Sequence, residues 1–159
     1  MKYRESLNIV NKDLQLPAIL AINSSINAEE SLSRVFEVLQ DFLDADGAFV
    51  NIFDVQKHSI VFVAHCRRNG LSSPLGSVEP PRSLRPLKIT DKVLNCSDIS
   101  EDRFTQKVLS ECLPDVKSYL MLSMDKEDRH LGVVCFYSCR YDQFNEAQRN
   151  LLKSLHDSF

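Results

Sequence analysis

The chain of 159 residues has no tryptophan, only four glycines and no long apolar run, and each shortage removes a class of function. With so few glycines there is neither a G-x-G-x-x-G turn nor a Walker A loop, so no glycine cradle for a phosphate is present. The longest apolar stretches, such as LGVVCFYS, fall far short of the roughly 20 residues a membrane-spanning helix needs. The opening MKYRESLNIVNKD lacks the apolar segment of a signal peptide. There is no excess of one charge either. Nineteen basic residues stand against 22 acidic ones, for a net charge of −3, which gives no general attraction to nucleic acid or to an anionic membrane.

Cysteine is present but not patterned. Five thiols make an odd number with no regular framework, which points to reduced cysteines and the cytoplasm. No C-x-x-C or H-x-x-x-H pair occurs, so Cys66, Cys96, Cys112, Cys135, Cys139 and the four histidines read as no metal site. Cys135 and Cys139 fall on one strand face, yet two thiols alone do not hold a metal. His65 and Cys66 are neighbours in a strand, where successive side chains diverge, so the thiol has no readable base. The residues by themselves argue against an enzyme.

What is present is a clear succession of elements. LQLPAILAINSSI reads as a first helix, with Pro17 in its first turn. NAEESLSRVFEVLQDFLDADG reads as a second, with Asn27 and Glu30 spaced as a capping box. Leu32, Val35, Phe36, Leu39, Phe42 and Leu43 form its apolar stripe, and Gly47 lies just beyond its end. Ala48–Asp54 and Ser59–Cys66 are strand-like runs joined by VQKH, a hairpin length. The first run is apolar on both faces and is therefore expected to be covered on both. RRNGLSSPLGSVEPPRSLRP holds four of the six prolines and two of the four glycines. It reads as a long lid-like loop whose Arg67, Arg68, Arg82 and Arg85 are either solvated or anion-facing. A short strand at Val93–Cys96 follows, then SEDR as a cap for the short helix DRFTQKVLSECL, closed by Pro114. SYLMLSMD and HLGVVCFYS are two more strands, and FNEAQRNLLKSLHDSF is a final amphipathic helix. Hairpins with helices at the ends predict an α+β fold with a mostly antiparallel sheet.

With these elements in order, the chain resembles a GAF domain over about residues 14–159, residues 1–13 forming an N-terminal extension. The resemblance rests on SYLMLSM, on the run Leu131–Ser138 (LGVVCFYS), on Phe144 opening the last helix, and on GAFVNIFD and NCSDIS upstream. It implies a PAS-like antiparallel sheet of five or six strands. Terminal helices would cover one face, and a lid of loops and short helices would enclose a small-molecule pocket on the other.

Within that frame, alternation sends Val50 and Ile52 toward the helices and Phe49, Asn51 and Phe53 toward the lid. Tyr119, Met121, Cys135 and Tyr137 are expected to face the pocket, opposite Leu120, Leu122, Val134 and Phe136, and Asp98, Ile99 and Phe104 to close it from the lid. The same side chains also suit a plain core under the loop. The subtype signatures are missing. The Asn-Lys…Phe…Asp-Glu set of cyclic-nucleotide binders has no counterpart here. Cys112 is followed by Leu113 and Pro114 rather than by the histidine common beside a bilin-bearing cysteine. The sulfoxide reductases carry closely spaced cysteines, unlike Cys66, Cys96 and Cys112. The iron-based nitric-oxide sensors use carboxylates and a cysteine near the equivalent of SYLM, where Tyr119 stands. The cofactor therefore stays open.

The resemblance implies a non-catalytic sensory module that binds a small molecule and pairs with a second copy through its terminal helices. Its effector is expected to be a sigma-54-dependent transcriptional activator, with the last helix continuing past Phe159. A ligand-free dimerisation module of a sensor kinase or cyclic-dinucleotide enzyme is the first alternative, and a free methionine sulfoxide reductase-like thiol enzyme the second.

Overall fold

A computed structural model describes residues 25–68, 74–89, 92–126 and 129–157. The extension 1–13, nearly all of the first expected helix and the expectation about Phe159 lie outside them. Helix α1 (Ser25–Leu43) is followed by β1 (Gly47–Asp54), β2 (Ser59–Arg67), β3 (Ser77–Val78) and β4 (Val93–Cys96). A 3₁₀ turn at Ile99–Glu101 leads into α2 (Arg103–Leu109), then β5 (Ser118–Lys126), β6 (Arg129–Ser138) and α3 (Glu146–Asp157). The six strands form one antiparallel sheet in the order β3-β2-β1-β6-β5-β4, the α+β architecture expected.

Period-2 alternation divides the sheet into two cores. Ala48, Val50, Leu120, Leu122, Val134 and Phe136 face Leu32, Val35, Phe36, Leu39 and Leu43 of α1 and Leu151 and Leu152 of α3. Phe49, Tyr119, Met121, Cys135 and Tyr137 face the other way, under α2 and its flanking loops. Burying an apolar side chain of this size contributes about 1.5–3 kcal/mol, so each layer needs the sheet as its floor.

Several local expectations are corrected. Asn27 does not cap α1, because the helix already runs at Ser25. A cap contributes only about 1 kcal/mol, and continued helix outweighs it. The reciprocal box sits instead on α3: Asn145 N–H donates to Gln148 Oε1 at 2.7 Å, and Gln148 N–H donates to Asn145 Oδ1 at 2.9 Å. Phe42, at the edge of the α1 stripe, is 41% exposed. The Pro-rich segment is not all loop, since Ser77–Val78 add an edge strand to β2. Arg67 ends β2, and Arg68 pairs with Asp44 at 2.5 Å rather than lying free. Cys139 lies beyond the end of β6 and is exposed, so it does not share a strand face with buried Cys135.

Two interruptions of the alternation matter for the site. Between β1 and β2, Val50 pairs with Ala64 and Asn51 with Phe62, leaving Val63 as an extra residue. Between β5 and β6, Met124 pairs with Gly132 and Asp125 with His130, leaving Leu131 unmatched. Each is a β-bulge, and each turns the residues beyond it to the opposite face.

Candidate functional site

The lid side of the sheet holds a cavity of about 840 Å³, within the range of small-molecule sites. Its floor comes from the central strands through Phe49, Asn51, Phe53, Ile60, Met121 and Val133. Its walls come from α2 through Phe104, Thr105, Val108 and Leu109, and from the proline segment through Pro80, Pro81, Arg82, Pro86 and Leu87. The prolines place a chain without spare amide donors over an apolar space, so that wall has few polar groups to satisfy. Phe53, 44% exposed, stands at the rim and meets His58 edge to face at 5.5 Å.

The expected site residues fall into three groups. Phe49, Asn51, Phe53, Phe104 and Met121 line the cavity. Tyr119, Cys135 and Tyr137 face the lid but do not line the space, being fully buried in the lid-side core. Asp98 and Ile99 are turned elsewhere. They border a separate depression of about 410 Å³ on the outside of the lid, with Arg103, Lys107 and Tyr141. The cause is local: Asp98 caps the 3₁₀ turn, accepting from Ser100 N–H at 2.9 Å and Ser100 O–H at 2.7 Å. Those two bonds also hold its carboxyl below the ordinary 3.8.

The SEDR segment supplies the expected cap, but the sequence does not show that its Asp102 also fastens the lid. Asp102, only 2% exposed, is the N-cap of α2 and accepts from Thr105 N–H at 3.2 Å. Its other oxygen accepts the hydroxyl of Tyr119 on β5, and the carboxylate also borders the cavity. One carboxylate thus ties the lid helix to the sheet. Burial and the adjacent carboxylate both push the Tyr119 phenol far above its usual range, so it stays a donor. A second buried pair, His65 Nε2 and Tyr137 Oη at 2.8 Å, closes the far end of this core. It exists because the Val63 bulge turns His65 toward the lid and Cys66 toward the helices. Gly47 makes room for it, since a Cβ there would lie 2.3 Å from the Tyr137 oxygen.

Cys66, Cys96 and Cys135 are buried as apolar fillers, Cys112 is partly buried and Cys139 is exposed. Burial pushes Cys66 up to about 12 and raises Cys96, Cys112 and Cys135 as well, which leaves little thiolate for nucleophilic work. All five cysteines are free. Among the described residues, no group of three or more His, Cys, Asp or Glu side chains is placed to hold a metal ion, and no helix is long and apolar enough to cross a membrane.

Comparison with known proteins agrees with this fold. No curated protein sequence matches the chain significantly. Among solved structures, the GAF domain of an Acinetobacter phosphoenolpyruvate-protein phosphotransferase superposes with a TM-score of 0.60 at 16% identity, covering 97% of this chain and 89% of that one. The chromophore-binding domain of an unusual bacteriophytochrome from R. palustris gives 0.62 at 14%, covering 98% of this chain and 59% of that one. A type II free methionine-R-sulfoxide reductase from Thermoplasma acidophilum gives 0.59 at 13%, covering 84% and 90%. Identities this low speak to the fold. The sequence profile of the GAF domain matches residues 27–158, and the chain belongs to the GAF domain family.

Proposed function

We propose that this chain is a non-catalytic sensory domain of the cytoplasm that binds a small molecule between lid and sheet and passes its occupancy to the terminal helices. The observation that carries the reading is the 840 Å³ cavity, whose floor is the sheet that carries α1 and α3 on its other face. A connected route exists. Asp102 joins the lid to Tyr119 on β5, and the adjacent Leu120 and Leu122 pack in the helix-side core with Leu151 and Leu152 of α3. Gln148 of α3 then donates to Phe42 O, at the end of α1, at 2.9 Å. A ligand acts along such a route only through unequal affinity for two helix arrangements. The cytoplasm suits five free thiols.

A second copy of the chain, paired through the terminal helices, is the proposed partner. Its support is Val38 and Phe42, one helical turn apart on α1 and 37% and 41% exposed. They equally favour the second reading, a dimerisation module without ligand. Native mass spectrometry of gently purified protein tests both. A non-covalent adduct supports sensing, and a bare dimer with no thermal shift across a metabolite panel sinks it. The finer assignment, to a sigma-54-dependent transcriptional activator, rests on the sequence resemblance. Reading the gene past the codon for Phe159 tests it: an ATPase followed by a helix-turn-helix supports it, and a kinase or cyclic-dinucleotide segment replaces it. A thiol enzyme is disfavoured by the raised thiols, and loss of sulfoxide reductase activity in Cys66→Ser, Cys96→Ser or Cys112→Ser would reinstate it.

A further inference from the structure

The cavity is chemically two-ended. The inner end, around Phe49, Val108, Leu109 and Met121, is apolar. The outer end carries Ser123, Asp125 and His130 in mutual contact. Ser123 Oγ lies 2.9 Å and 3.0 Å from the two oxygens of Asp125 and 3.0 Å from His130 Nδ1, and that nitrogen lies 3.0 Å from Asp125 Oδ1. Serine and carboxylate meet the same imidazole nitrogen. That nitrogen cannot accept a proton from the one while donating to the other, so the trio is not a hydrolytic relay.

It is a built feature all the same. Regular pairing of β5 with β6 would set Leu131 opposite Asp125, on the cavity side. The bulge sends Leu131 into the helix-side core and puts His130 in its place. One extra residue thus exchanges an apolar side chain for an imidazole at the cavity wall. Among the described residues that line the space, Asp102 and Asp125 are acidic and the one guanidinium is Arg82, itself paired with Glu79 at 3.3 Å.

Resting on the sensory reading above, we infer that the cavity takes a compact apolar molecule bearing one hydrogen-bond-donating head, an amine or a hydroxyl, and discriminates against anions. The apolar body fills the inner end. The head donates to Asp125 beside His130 and Ser123. An anionic head placed there would meet the Asp125 carboxylate, and the one guanidinium among the described lining residues, Arg82, is already paired with Glu79.

A matched pair of fluorescent probes tests this on the intact chain. N-phenyl-1-naphthylamine is neutral with one N–H donor, and 8-anilinonaphthalene-1-sulfonate has the same ring system plus an anionic group. The amine should bind the folded protein at least about tenfold more tightly than the sulfonate, a difference of about 1.4 kcal/mol. Asp125→Asn should weaken the amine and narrow the gap to less than about threefold. Met121→Trp and, as a second filler in case that variant does not fold, Val108→Phe should abolish both signals. If neither probe binds, or neither filler matters, the cavity is no binding site and the sensory reading falls with the inference. If the fillers block binding but the sulfonate binds as well as the amine, or Asp125→Asn changes nothing, the inference is overturned and the sensory reading stands.

Discussion

Removing the hydroxyl of Tyr119 gives the sharpest test of how the lid is held. Tyr119→Phe deletes one oxygen and leaves the ring in place. The lost bond joins a phenol with no exposed surface to a carboxylate that is 2% exposed. A buried hydrogen bond to a charged partner contributes about 1.5–3 kcal/mol, and Asp102 would keep only the Thr105 N–H of its two bonds. For a domain of this length each kcal/mol moves the melting midpoint by about 2–4 °C, so the expected fall is about 3–12 °C. Denaturant unfolding should show a lower midpoint at unchanged slope. Hydrogen exchange should locate the loosening at α2 rather than at α1. Because Asn keeps one oxygen and loses the charge, Asp102→Asn combined with Tyr119→Phe should give a coupling of about 1 kcal/mol or more in a double-mutant cycle. A cost below about 0.5 kcal/mol for Tyr119→Phe, or strict additivity of the two changes, would show that this bond does not hold the lid.

Other consequences follow from the same geometry. At Gly132 a Cβ would lie 2.0 Å from Asn51 O, a backbone atom that moves only with strand β1. Gly132→Ala should therefore cost about 3 kcal/mol or more, read as a lower midpoint or as insoluble expression. The folded-state value of Cys66 lies above its ordinary 9.0, at about 12, so above pH 9 the unfolded chain holds fewer protons than the folded one. Stability is then complete below pH 9 and falls as pH rises, by about 4 kcal/mol at pH 12 from this thiol alone. Urea midpoints measured from pH 8 to 11 check the slope, and a flat profile contradicts the burial of the thiols. Asp44, held below 3.8 by Arg140 and Arg68, acts in the opposite direction, its contribution lost as pH falls through that region. Those pairs are exposed, so the acid effect should be small and erased by salt. Val38→Asp with Phe42→Asp should leave the melting midpoint nearly unchanged and convert any dimer to monomer in sedimentation.

Much of this was legible from residues alone, because alternation and turn chemistry are local. The two faces of β1 follow from side chains two residues apart pointing the same way, and the hairpins from short turn-like connections. Together with the GAF resemblance, that pattern assigns Phe49, Tyr119, Met121, Cys135 and Tyr137 to the lid face, where they lie. The box on α3 is legible too, as Asn145 three residues before Gln148, the same spacing as Asn27 and Glu30.

What tertiary structure decided were relations between segments far apart in the chain. Burial of Tyr119 and Tyr137 depends on how several segments meet in the lid-side core, which no single segment encodes. Asp102 becomes both cap and latch only once α2 lies over β5. The bulges at Val63 and Leu131 belong to pairs of strands, since a register shift is defined only between two partners. They bring His65 to Tyr137 and His130 to the cavity wall, where uninterrupted alternation points each histidine to the opposite face. The sequence by itself determined which side chains share a face of each strand. The packing of one strand on the next decided where that order breaks, and so which polar groups border the cavity.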